Sequence, residues 1–195
     1  MSHVSSAHSI RHIHYLLFKA AEVALVKADQ DNGLRKLHIA TVYVMSAFAL
    51  EAYVNDICAV SIPDNVWSLI ERKLSTTEKI KLLEAHIMLN ADSSKEPFQL
   101  LKQLFRIRDE LAHAKRQVLE VEEPHRNKKV LVMPRSDLDK YLDDILLARK
   151  LHKAVFDMAT TLHNARKEKD TDEHPFEAGA STSFITITLT KITED

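Results

Sequence analysis

The chain has 195 residues, 45% of them apolar, with 27 Lys and Arg against 28 Asp and Glu and a formal net charge of −1. That length suits one well-cored domain with a tail, and the near-neutral balance excludes a dedicated nucleic-acid coat or chromatin protein, so any nucleic-acid site must be local. Its two glycines, Gly33 and Gly179, cannot build a P-loop or a dinucleotide fingerprint, and the single cysteine, Cys58, excludes an intramolecular disulfide and every multi-cysteine zinc module.

From Ser5 to Ala28 the residues Ile13, Leu16, Leu17, Ala20, Ala21, Ala24 and Leu25 recur at helical spacing, and Asp29-Gln-Asp-Asn-Gly33 ends the pattern. A second helix, from Leu34 to Val60, is apolar on nearly all sides around Val42, Val44, Phe48, Leu50 and Val54, as a helix surrounded by others should be. Its longest apolar run, Ile39 to Val54, is interrupted by Thr41, Ser46 and Glu51. The run is shorter than the roughly 20 residues that cross a bilayer, so it reads as a buried central helix. Histidines occupy the N-terminus where a signal peptide would be apolar, which predicts a cytoplasmic protein without membrane attachment.

Pro63 opens a short helix through Trp67 and Leu69, and Ser75-Thr-Thr-Glu78 spells a capping box ahead of Ile80, Leu82, Leu83 and Ile87. The segment Asn90 to Glu96 is polar and loop-like, and Pro97 opens a helix through Phe98, Leu101, Leu104, Phe105 and Leu111. Two short apolar runs, Val118 to Glu122 and Lys129 to Met133, flank Pro124-His-Arg-Asn127 and predict a β-hairpin over about 117–134. Ser136 or Asp137 then caps one long helix striped with Leu138, Tyr141, Leu142, Ile145, Val155, Phe156, Ala159 and Leu162. Residues 167–181 are charged or small and read as a flexible segment, whereas Ser183 to Thr190 alternates with period two and reads as a strand that could join the hairpin. The expected fold is mainly α: an antiparallel bundle of four to five helices with a small β-hairpin and a C-terminal strand. A helical domain over 1–168 would precede a segment over 169–195.

The chemistry gathers at Phe105-Arg-Ile-Arg-Asp-Glu-Leu-Ala-His-Ala-Lys115. Arg108, the polar Asp109 and His113, with four residues between arginine and histidine, are similar to the signature of the HEPN family. The segments Ala49-Leu-Glu-Ala-Tyr-Val-Asn55 and Thr77-Glu-Lys-Ile-Lys-Leu-Leu83 resemble that family's corresponding helices, and the likeness spans about Ser9 to His163. It implies a helical domain that binds or cuts RNA without metal or cofactor, as a homodimer with a composite site, within a toxin–antitoxin, phage-defence or stress system that includes an antitoxin or other partner protein. It further implies that Arg108 holds the scissile phosphate and His113 takes part in proton transfer. A guanidinium stays charged and can grip two phosphate oxygens, an imidazole moves protons near neutral pH, and RNA carries its own 2′-hydroxyl nucleophile. The alternative is a non-catalytic HEPN scaffold that binds a nucleotide, RNA or a protein.

Helix geometry leaves a rival for the phosphate. Arg108 and His113 point about 140° apart on an ideal helix, whereas Arg106 and His113, seven residues apart, share a face. Arg108 instead falls on the apolar stripe of its helix and needs a partner, which Glu51 on the second helix can supply. Asp109, four residues before His113, is placed to orient it, and Lys115 and Arg116 to steer RNA. His8 and His12 share a helix face, but no further ligand completes a metal site, so none is expected. Ser46, Asn55 and Lys79 should serve internal hydrogen bonds, and Cys58 should be inert core.

Overall fold

The structure, a computed structural model, describes residues 13–86, 94–113 and 137–165. Among them are seven helices and no strand: α1 (Ile13–Gln30), α2 (Arg35–Ser61), α3 (Asp64–Ile70), α4 (Thr76–His86), α5 (Phe98–Ala112), α6 (Asp137–Asp143) and α7 (Ile145–Ala165). The predicted hairpin and C-terminal strand, together with His8, His12, Lys115 and Arg116, lie outside the described residues.

The helix α2 is central because apolar or small residues occupy most of its circumference. Ile39, Val42, Tyr43, Ala47, Leu50, Tyr53, Val54 and Ile57 are all buried, and all six other helices pack on it. By length and composition α2 is also long and apolar enough to cross a membrane, and half of its most apolar stretch is buried inside this fold. Antiparallel to it runs α1, which buries Phe18, Ala21, Ala24, Leu25 and Ala28. Between the two helices the Asp31 carboxylate accepts the amides of Gly33 (2.9 Å) and Leu34 (3.1 Å), a side-chain turn that reverses the chain in few residues.

The capping box at α4 forms as its residue types require. The Ser75 amide and hydroxyl both donate to the Glu78 carboxylate at 2.7 Å, and the Glu78 amide donates to the Ser75 hydroxyl at 3.3 Å. These bonds hold the Glu78 carboxyl below its ordinary range.

The long last helix of the sequence reading is two elements. Asp144 interrupts it: its carboxylate accepts the Leu147 amide at 2.9 Å and its carbonyl accepts that of Ala148 at 3.1 Å, so it caps α7. The Tyr43 hydroxyl, donating to the Tyr141 carbonyl at 2.9 Å, satisfies the end of α6. Burial there, reinforced by the Asp144 charge, pushes the Tyr43 phenol well above its ordinary range and keeps it a donor. Asp144→Ala is expected to remove the cap at a cost of about 1 kcal/mol, read as a fall of about 2–4 °C in thermal midpoint with secondary structure otherwise retained.

Two buried polar groups are paired across helices. Lys79 on α4 donates to the Asn55 side chain at 2.8 Å with its amine 5.5 Å from the centre of the Trp67 ring. Ser46 on α2 meets Nδ1 of His152 on α7 at 2.8 Å, both side chains being buried. The Cys58 thiol is fully buried, and burial pushes its pKa up to about 11, so little of the reactive thiolate forms at neutral pH.

Candidate functional site

The site is built on the C-terminal half of α5. One face of this helix is apolar and inserts Leu101, Leu104, Phe105 and Ile107 into the core, which fixes its rotation against α2 and α7. The opposite face is therefore turned outward. It carries Lys102, Arg106, Asp109, Glu110 and His113, which together with Phe105 and with Thr77 of α4 line an open groove of about 560 Å3.

Arg108 does not line this groove. It leans toward α2, where its guanidinium lies 3.7 Å from Glu51, 5.8 Å from the centre of the Phe48 ring and 5.6 Å from that of Phe105. Its side chain is 23% exposed. Nε of Arg108 is also 3.0 Å from the Asp109 carboxylate, yet this buried nitrogen makes no hydrogen bond, because adjacent residues on a helix diverge and the N–H is not aimed at the oxygen. Two carboxylates thus offset one guanidinium, and two aromatic faces confine it. The expected partner Glu51 is in place, and the pair joins α5 to α2.

Arg106 is exposed and differently held. Its guanidinium donates to the Tyr141 hydroxyl, 5.5 Å from the centre of that ring, and lies 3.7 Å from Glu110. A bond from one nitrogen to the Tyr141 hydroxyl holds the fork while leaving N–H groups for another ligand. Lys102, one turn before it, has no acidic partner among the described residues.

His113 is the C-cap of α5: its amide donates to the Asp109 carbonyl at 2.9 Å, its backbone leaves the helical region and its side chain is exposed. Asp109 therefore reaches His113 through its backbone, while its carboxylate is engaged by Arg108. The structure brings His113 together with Arg106, Lys102 and Glu110 on one groove, and sets Arg108 with Glu51 on the α2 side. Sequence reasoning missed Lys102, Glu110, Thr77 and Tyr141 as members of this surface. The spacing of Lys102, Arg106, Glu110 and His113 by four, four and three residues was a usable signal, since such positions share one helix face. For Thr77 and Tyr141 no local signal exists, because the docking of α4 on α2 and of α6 on α2 and α5 brings them in.

Among the described residues no group of three or more His, Cys, Asp and Glu side chains comes together as a metal-binding set. The imidazole–hydroxyl pair of Ser46 with His152 is closed off: Ser46 is fully buried, so no substrate reaches it. Comparison of the chain with family models, with curated proteins and with solved structures finds no match.

Proposed function

We propose that the protein is a metal-independent endoribonuclease of HEPN type acting in the cytoplasm, with His113 as a proton-transfer residue at the groove on α5. The observation that carries this reading is that an exposed imidazole and two exposed cations, Arg106 and Lys102, line one open groove. In this reading Arg106 grips the scissile phosphate, Lys102 holds a neighbouring one, and Arg108 anchors α5 on α2 through Glu51. The RNA 2′-hydroxyl attacks its own phosphorus, so the protein need only move protons and offset the charge that develops on the phosphate. The test is cleavage of single-stranded RNA in EDTA with 2′,3′-cyclic phosphate ends and DNA spared. Loss of activity in EDTA would point to a metal nuclease instead.

The reading includes a homodimer that pairs the α5 ends of two copies, and a toxin–antitoxin or defence setting with an antitoxin or similar partner. Lys115 and Arg116 follow His113 after Ala114 in the chain and in this reading extend the RNA track. A dimer is expected by light scattering at micromolar concentration, and a plain monomer would remove the composite-site part of the proposal.

One observation favours a second reading, a non-catalytic HEPN module that binds RNA, a nucleotide or a protein. The cations of the groove, Lys102 and Arg106, are matched by Asp109 and Glu110, so its field attracts polyanions weakly. RNA binding without any cleavage would establish that alternative.

A further inference from the structure

An RNA-cleaving site that uses the 2′-hydroxyl must move two protons, one off the nucleophile and one onto the leaving 5′-oxygen. His113 supplies one transfer. We infer that Glu110 supplies the other, so that a single chain's groove contains a complete acid–base pair; this inference rests on the ribonuclease reading above.

The placement follows from α5. Arg106, Glu110 and His113 are spaced by four and three residues, which stacks them along one helix face, and all three line the groove. The two acids there differ in availability. Asp109 is drawn to the Arg108 guanidinium at 3.0 Å, beside Glu51. Glu110 makes a loose ion pair with Arg106 at 3.7 Å and keeps its side chain 40% exposed, so it stands beside the guanidinium that would hold the phosphate, with open solvent in front. The charged groups that bear on it are Lys102, Arg106, Asp109 and His113 of α5 and, through Arg106, Asp137 of α6; α4 contributes the uncharged Thr77.

In the step proposed, the Glu110 carboxylate takes the proton of the 2′-hydroxyl as the 2′-oxygen forms its bond to phosphorus. The bond from phosphorus to the 5′-oxygen breaks, and protonated His113 gives its proton to that oxygen. The products are a 2′,3′-cyclic phosphate and a 5′-hydroxyl, with one proton moved to Glu110 and one lost from His113. Exchange with water restores both groups. Arg106 faces the non-bridging oxygens throughout, where negative charge develops.

Steady-state cutting of a labelled single-stranded RNA across pH tests this. Glu110→Gln is expected to lower kcat about a hundredfold or more, to leave KM within a few-fold, and to flatten the acid limb of the pH–rate profile. Glu110→Asp, which keeps the carboxylate, should recover part of the loss. A mixture of Glu110→Gln and His113→Ala, equilibrated so that subunits exchange, should stay inactive, because every groove then lacks one of the two groups. Recovery of activity in the mixture would place the two groups in different halves of a composite site and overturn the inference. So would a Glu110→Gln protein that cuts like wild type with its acid limb intact, and in that case the ribonuclease reading survives. A wild-type protein that cuts no RNA removes that reading and this inference together.

Discussion

Replacing His113 with alanine is expected to slow the cutting of single-stranded RNA by about a hundredfold to ten-thousandfold, the usual worth of one positioned proton-transfer group. The side chain is exposed at the end of α5 and lies outside the buried core, so the thermal midpoint should hardly move. Pairing this variant with two arginine variants separates chemistry from architecture. Arg106→Ala should lose a comparable factor in rate with the fold retained, since Arg106 lines the groove, is exposed, and is held at the surface by Tyr141 and Glu110. Arg108→Ala should act mainly on stability, at a cost of about 1–3 kcal/mol, because it strips Glu51 and Asp109 of their shared cation and removes the filling between Phe48 and Phe105. The reverse pattern would hand the phosphate to Arg108, as the Arg108–His113 motif reads. That pattern is Arg108→Ala dead with an unchanged midpoint, and Arg106→Ala active. If His113→Ala cuts as fast as wild type, the activity belongs to a contaminant and the scaffold reading takes its place.

Acid should destabilise the protein by about 3 kcal/mol through one residue, His152, between roughly pH 6.5 and 4. Burial lowers its pKa to about 4. Only Nδ1 has a partner, Ser46 at 2.8 Å; Nε2 is buried without one, and the ring stacks on Phe18 at 4.2 Å between centroids. Charging the ring would put a second N–H into a site with no acceptor. The sign follows from linkage. Folding lowers the pKa, so between pH 6.5 and 4 the unfolded chain binds the extra proton and the native state does not. Stability is then unaffected above pH 6.5, falls as pH drops through this window, and stops falling through this group below about pH 4. Urea unfolding at a series of pH values reads this directly. His152→Asn, which can keep a hydrogen bond to Ser46 but does not titrate, should be less stable at pH 7 and lose the slope between pH 6.5 and 4. An unchanged slope in His152→Asn would assign the acid sensitivity to other groups.

Much of the fold is legible in the residues because its causes are local. Periodicity places α1 and α5, apolarity on nearly all sides marks α2 as the central element, and the Ser75–Glu78 box starts α4 with the hydrogen bonds that its residue types require. The division at Asp144 is harder to see. An Asp within an apolar stripe is as compatible with a solvent-facing helical position as with a cap. Here the tertiary bond from Tyr43 to the Tyr141 carbonyl, 98 residues apart in sequence, satisfies the end of α6 and makes the break tolerable.

The candidate site divides in the same way. That Arg108 needs an acid and that Glu51 is available follows from amphipathic spacing on two helices, and so does the shared face of Arg106 and His113. Which arginine meets His113 on an open surface is not a property of α5 alone. It depends on how Leu101, Leu104 and Ile107 seat that helix against α2 and α7, and on Tyr141 arriving from α6 to hold Arg106. The pairing of Ser46 with His152, separated by 106 residues, is likewise set by docking α7 on α2. The sequence by itself determines most of the helices, their apolar faces and the residue types that can move a proton or hold a phosphate, because spacing along one helix fixes those. Only the tertiary structure decides which of these residues share a groove and which are spent on one another, because that depends on the rotation of each helix against its neighbours.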